Sequence, residues 1–113
     1  MPRDFRLYLD DILEACRKIR EFTEGMSFAD FQSDAKTQDA VIRNFEIIGE
    51  AATSLPEKIA SQYSRVEWPK FIGFRNILIH QYFGIKLETI WTAIQDKIPI
   101  LEEETRTVLG EDE

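Results

Sequence analysis

Apolar residues recur at helical spacing along two long stretches of the chain. Between about Asp4 and Glu24 the spacings are 4, 3, 4 and 3, through Phe5, Leu9, Ile12, Cys16 and Ile19. Between about Ala35 and Ser54 the same spacings connect Val41, Phe45, Ile48, Ala52 and Leu55. Each pattern predicts an amphipathic helix with one buried face. Cys16 belongs to the first apolar face, which favours a packing role over a reactive thiol.

Turn-forming and capping residues divide the rest of the chain into further helices. Ser27 and Asp30 resemble a capping box that begins a short helical turn. A short helix follows Pro56, and a longer one opens at Pro69 and closes at Gly84. A last helix is expected from about 87 to 108, interrupted near Pro99 because proline cannot donate to the Gln95 carbonyl. No stretch alternates with a period of two, so the sequence predicts an all-α, up-and-down four-helix bundle with an additional short helix, in one domain spanning residues 1–113.

The helix that opens at Pro69 differs from the others because it is apolar nearly all round. On a helical wheel its apolar wall comprises Phe71, Ile72, Phe74, Leu78, Ile79 and Tyr82, and Ile77 closes the other side. Gly73, Asn76 and His80 share one narrow polar window, whereas Arg75 lies apart from it. This pattern predicts a central, buried helix. Buried polar side chains need partners or a cleft, so the window is the candidate functional site.

Composition bounds the possible partners. The formal net charge is −7, which repels phosphate overall, so RNA binding would require a local basic cleft. A basic protein partner suits this charge equally well. The single cysteine excludes an internal disulfide and indicates a reducing cytoplasm, and no apolar run approaches a membrane span. With one histidine and one cysteine far apart, no metal or cofactor site is expected.

The residues of the central helix suit metal-free cleavage of RNA. Such a reaction removes a proton from the ribose 2′-hydroxyl and supplies one to the leaving 5′-oxygen. An imidazole such as that of His80 can do either, because its ordinary pKa is about 6.5. A guanidinium such as that of Arg75 presents a fixed fork of donors to the crowded phosphate. Asn76, one turn before the histidine, could orient it or bind a phosphate or base edge.

One copy of this helix supplies too few catalytic groups for that reaction. Arg75 and His80 diverge by about 140° on an ideal helix, and the chain offers one histidine where two proton-transferring groups are preferred. A two-fold dimer would set two such helices side by side in one composite cleft. Gly73, beside His80 on the wheel, would permit their close approach.

Other interpretations of these residues are open. A lone histidine in an apolar helix is often an ordinary core residue, and Arg75 could be an internal ion-pair partner of Glu46 or Glu50. Arg43, Glu46 and Glu50 form a charged row along the second long helix. This row is either a solvated face or the border of the dimer cleft.

The chain resembles a known family at these positions. Arg75-x4-His80-x-Tyr82, with Asn76 directly after the arginine, resembles the HepT-like toxin ribonucleases of the HEPN superfamily. The run 40–51 (AVIRNFEIIGEA), Trp68-Pro69, Gly84-Ile85 and Trp91 resemble further landmarks of that family. Lys86 departs from it, because the family usually has an N-capping Asp there.

The resemblance implies a HEPN-like homodimeric endoribonuclease without a metal, in the cytoplasm, acting on tRNA or mRNA. It implies pairing with a minimal nucleotidyltransferase antitoxin, which adds AMP to the tyrosine at the position of Tyr82. A different class remains open: a non-catalytic helical module that binds a nucleotide or a protein through the same cleft. A degenerate member that only forms complexes is a third possibility.

Overall fold

The computed structural model describes residues 4–80 and 85–110, and this part of the chain is helical over most of its length, with no strand. The seven helices in it are α1 (Phe5–Thr23), α2 (Phe28–Gln32), α3 (Ala35–Thr53), α4 (Glu57–Ala60), α5 (Trp68–His80), α6 (Leu87–Asp96) and α7 (Ile98–Leu109). The predicted all-α architecture is therefore confirmed.

The helix ends follow from local capping chemistry. Ser27 and Asp30 form the reciprocal capping box of α2, with each side chain accepting from the other residue's backbone N–H, at 3.1 and 3.0 Å. Asp34 caps α3, because its Oδ1 accepts a hydrogen bond of 3.0 Å from the Thr37 backbone N–H. Gly25, just beyond α1, has a φ of 75°, which favours glycine. Lys86, which precedes α6, makes no side-chain cap, as the sequence departure suggested.

The interruption expected near Pro99 is confirmed, because the last helix divides at Lys97 into α6 and α7, with Pro99 in the first turn of α7. A proline is tolerated there because first-turn N–H groups need no helical partner. The short helix, expected from Leu55-Pro56 to near Tyr63-Ser64, is shorter than predicted: α4 ends at Ala60, and Pro56 is its N-cap.

The core lies where α1, α3 and the paired α6 and α7 meet. α1 packs against α3 and α7, and α3 also packs against α5. Fully buried side chains in the core include Leu9, Ile12, Ile19, Phe45, Ile48, Ile90, Ile98 and Leu101 from these helices and Phe31 from α2. Cys16 is among them, and burial raises the pKa of its thiol, so it is the packing residue that the apolar pattern predicted.

The loop between α4 and α5 is tied to α7 by polar contacts. The Tyr63 hydroxyl donates to Thr105 Oγ1 at 3.2 Å, and burial raises the pKa of that phenol to about 12. The Arg65 backbone N–H donates to the buried carboxylate of Glu104, and the Trp68 indole N–H donates to the Ala60 carbonyl at 3.1 Å. These contacts fix where α5 begins.

Candidate active site on helix α5

Helix α5 lies at the edge of the bundle, with α3 as its main packing partner. Within it, only Phe71 and Leu78 are buried. Ile77 and Ile79 expose 44% and 43% of their surfaces. The expectation of a central helix buried all round is therefore wrong for the single chain. One side of this apolar helix faces outward.

The polar window predicted from the sequence lies on that outward side. Asn76 and His80 are exposed, and Gly73 is half-buried. A Cβ added at Gly73 would meet no atom within 4 Å, so packing within this chain does not require glycine there. The three residues share one face, with Ile77 and Ile79 beside them.

Arg75 lies on the other side of the helix, where α5 meets α3. A Cβ added at Gly49 of α3 would lie 2.8 Å from Cγ of Arg75 and 3.1 Å from the Phe71 carbonyl oxygen. Only a residue without a side chain allows the two helices to approach this closely. Sequence reasoning did not single out Gly49. It belongs to the run 40–51 that carries the family resemblance, but its role is visible only in the packed helices.

The Arg75 guanidinium bends back toward the window. Its Nη1 donates to Oδ1 of Asn76 at 3.0 Å, while Nε is buried and has no partner in the described part of the chain. No carboxylate among the described residues forms an ion pair with Arg75, so they provide no support for pairing with Glu46 or Glu50. Asn76 thus holds the arginine, where the sequence suggested that it orients the histidine. The arrangement joins Arg75 to the window through Asn76.

The remaining candidate site residues lie outside the polar window. Arg43 is exposed on α3 and Glu46 is half-buried. Glu50 lines a shallow groove between α1 and α3, together with Tyr8 and Ser54. Among the described residues, no hydrogen bond or ion pair joins this row to the window. Tyr82 and Gly84 lie outside the described residues.

The described residues also bound the possible ligands. Between residues 4–80 and 85–110, no group of three or more His, Cys, Asp or Glu side chains is placed to hold a metal ion. Within the same ranges, no helix is long and apolar enough to cross a membrane. Near the C-terminal end of α5 the polar side-chain groups are the guanidinium of Arg75, the amide of Asn76 and the imidazole of His80.

Several known proteins are similar to this chain over nearly its whole length. A candidate RNase of Methanocaldococcus jannaschii is 45% identical over all of this chain and 98% of its own length. A protein of Thermococcus cleftensis named as a ribonuclease HepT candidate is 41% identical over 90% of this chain and 93% of its own. A candidate RNase of Caldanaerobacter subterraneus is 40% identical over 92% of this chain and 93% of its own length. No solved structure matches the chain.

The family model described as "Ribonuclease HepT-like" matches residues 12–108, which include α3, α5 and the whole polar window. Together with relatives of this identity and coverage, the match places the protein in the HepT-like ribonuclease family.

Proposed function

We propose that this protein is a metal-independent endoribonuclease that acts as a homodimer and is the toxin of a toxin–antitoxin pair. The observation that carries the proposal is the outward face of α5. It presents His80 and Asn76 to solvent, with Arg75 held beside them and without a carboxylate partner in the described residues. An arginine and a histidine left available on one helix suit an incoming phosphodiester.

The same face supports dimerisation. Ile77 and Ile79 are large apolar side chains that remain more than two-fifths exposed beside the window. Gly73 leaves open space where a second helix would approach. A two-fold pairing of α5 would cover the isoleucines and bring two imidazoles and two guanidinium groups into one cleft. Arg43, Glu46 and Glu50 would border that cleft only if the partner extends over α3.

The reaction then follows acid–base logic. One His80 takes the proton from the ribose 2′-hydroxyl, whose oxygen attacks the adjacent phosphorus. The bond from phosphorus to the 5′-oxygen then breaks, and an imidazolium protonates the leaving oxygen. In a dimer, this imidazolium is the His80 side chain of the second copy. The products are a 2′,3′-cyclic phosphate and a free 5′-hydroxyl.

Arg75 and Asn76 serve the transition state. The guanidinium donates to the phosphate oxygens as their negative charge grows, which gives stabilisation that is greater in the transition state than in the bound substrate. Asn76 fixes the direction of the guanidinium through the 3.0 Å hydrogen bond from Nη1. Because this hydrogen bond already restricts the Arg75 side chain, the side chain loses less conformational entropy when the phosphate binds.

Regulation follows from the family resemblance at Tyr82. A minimal nucleotidyltransferase antitoxin would transfer AMP from ATP to the phenolic oxygen, releasing pyrophosphate. The added phosphate brings negative charge two residues after His80 and repels the RNA backbone from the cleft. RNA, whether tRNA or mRNA, and the antitoxin are the partners that this proposal names.

A second candidate function is a non-catalytic module that binds a nucleotide or a protein through the same cleft. The net charge of −7 favours it, because a chain with this charge attracts basic partners more readily than RNA.

RNA cleavage by purified protein in EDTA separates the two functions. Under the ribonuclease proposal, wild-type protein with unmodified Tyr82, verified by mass spectrometry, cleaves RNA to cyclic-phosphate ends. His80→Ala and Arg75→Ala lose the activity and keep the helical fold. Cleavage that survives His80→Ala would contradict the mechanism, and an unmodified wild-type protein without activity would favour the binding module.

A further inference from the structure

A half-open cavity of about 460 Å³ lies between α5 and the last two helices, α6 and α7, and no residue of the polar window lines it. Its volume lies within the range of about 300–1,000 Å³ that small-molecule pockets occupy. Phe71 and Phe74 of α5 form one wall, and Phe45 of α3 lies behind them. Thr89 and Thr92 of α6 line the opposite wall.

The cavity exists because α5 and the last two helices diverge. α5 packs on α3, whereas α6 and α7 pack on each other and α7 packs on α1. The chain also bends at Lys97, and this residue and Ile100 of α7 line the lower end of the cavity. The space therefore follows from the helix arrangement and not from a missing side chain in the core.

The interior is apolar and aromatic. Phe45 and Phe74 meet edge to face, with ring centroids 5.2 Å apart. The ring centroids of Trp68 and Phe71 are 6.2 Å apart. Aromatic walls of this kind hold nucleobases by stacking, with little dependence on base identity. Thr89 and Thr92 are three residues apart, on one face of α6, and their hydroxyls can both donate to and accept from a base edge.

Two lysines, Lys70 and Lys97, lie on the rim of the cavity in an otherwise acidic protein. The ammonium groups of Lys70 and Lys97 both approach the carboxylate of Glu67, at 3.0 and 3.6 Å, so the two lysines lie close together. Both lysines lower the pKa of the Glu67 carboxyl, so it stays ionised and keeps them together. Glu88, the other carboxylate on the rim, lies in the first turn of α6, where its negative charge interacts favourably with the helix dipole. A backbone phosphate beside an inserted base would meet the lysine pair.

We propose that this cavity binds one unstacked nucleobase of a single-stranded RNA, with the adjoining phosphate at Lys70 and Lys97. The proposal deepens the ribonuclease function and rests on it. Lys70 precedes His80 by ten residues, about 15 Å along the helix. A two-fold axis perpendicular to α5 would turn the C-terminal end of a second copy toward this N-terminal half. A base held here would then lie a short way along the strand from the bond that is cut, and would set which bond that is.

The test measures binding, so that it does not depend on cleavage. The probe is a fluorescein-labelled single-stranded hexaribonucleotide, and the protein is the full chain with His80→Ala, which leaves the RNA intact. Each of the six positions is made abasic in turn. Loss of one stacked base is expected to weaken binding about tenfold at one position and little at the others.

Closing the cavity should remove that difference. Thr92→Trp places an indole across the mouth, whereas Gln95→Trp adds the same side chain on the exposed part of α6, outside the cavity. We expect Thr92→Trp to bind the intact and the abasic RNA equally, and Gln95→Trp to behave like the parent. Thr89→Trp offers a second way to fill the mouth if Thr92→Trp lowers the thermal unfolding midpoint.

Two outcomes would overturn the proposal. In one, no position is sensitive to base removal. In the other, a sensitive position remains equally sensitive in both mouth variants, which would place the base elsewhere and leave the cavity to a protein partner or to no ligand. Failure of the ribonuclease function is recognised separately, by absence of cleavage from the wild-type protein in EDTA.

Discussion

Two polar clusters that contain arginine, one between α1 and α7 and one on α5, differ in how the arginine is used. Between α1 and α7, the carboxylate of Glu102 is 95% buried and accepts three hydrogen bonds of 2.9 Å, two from Arg20 and one from Arg106. On α5, Arg75 has only the amide of Asn76 within the described residues, and His80 faces solvent. The first cluster is satisfied by its own chain, and the second is available to something else.

This difference in hydrogen bonding distinguishes charged residues that stabilise the fold from charged residues that can bind a substrate. A buried carboxylate is costly unless arginines or other donors satisfy it, and Glu102 meets that condition. The same hydrogen bonds raise the pKa of Arg20. Arg75 has no carboxylate partner among the described residues, and its buried Nε has no hydrogen-bond partner there, so we expect it to add little to stability. Hence we expect substitutions in the two clusters to affect different properties.

The largest effect is expected from His80→Ala. Loss of the proton-transferring group should reduce RNA cleavage by about 10²- to 10⁴-fold, while the exposed position leaves the unfolding midpoint unchanged. Initial rates on a fluorogenic RNA and thermal unfolding measure the two properties on the same sample. Equal losses of activity and stability would show that His80 belongs with Glu102, among the structural residues.

Glu102→Ala should show the opposite result. Removing the carboxylate leaves two arginines without their partner, and we expect a loss of about 2–3 kcal/mol in the free energy of unfolding. The value lies toward the low end because Arg20 and Arg106 are partly exposed and can turn to water. Urea denaturation gives the free energy. Cleavage per folded molecule should stay at the wild-type value, and a selective loss of activity would refute the separation of the two clusters.

Gly49→Ala tests the contact that links the site to the fold. The added methyl group meets Arg75 and the α5 backbone, so we expect a loss of about 1–2 kcal/mol and a lower kcat, because the guanidinium is displaced. Gly25→Ala is a poor control because its φ is positive. Ala51→Gly, on the same helix and away from α5, gives a similar loss of stability by removing packing and helix propensity. If both variants keep the wild-type kcat, Gly49 does not position Arg75.

The smallest effect is expected at the dimer contact. Ile79→Glu puts a charge on the outward face of α5 and should weaken the homodimer at least about tenfold, with little change in the stability of the single chain. Leu7→Glu is the matched control, since Leu7 on α1 is 44% exposed and Ile79 is 43% exposed. Sedimentation velocity across a dilution series reports the dimer. If Ile79→Glu stays dimeric, or if both variants dissociate alike, the α5 face is not the interface.

Much of this protein was predictable from local pattern. The helical spacing of apolar residues gave α1 and α3 nearly to the residue, because each helix exposes one face and buries the other. The capping box of α2 and the break near Pro99 came from side chains and backbone groups a few residues apart. The residues Gly73, Asn76 and His80 also emerged together, since helical geometry alone puts them on one face.

Tertiary structure decided which face of α5 is buried. The sequence of α5 is apolar on almost every side, so periodicity could not tell a central helix from one at the edge. The packing of Phe71, Leu78 and Arg75 against α3 settles that question and turns His80 outward. The role of Gly49 and the cavity beside Phe74 depend on the distance between helices far apart in sequence, which no local pattern encodes. The sequence thus determined which residues can do chemistry, and the packing of the helices decided which of them are left free to do it.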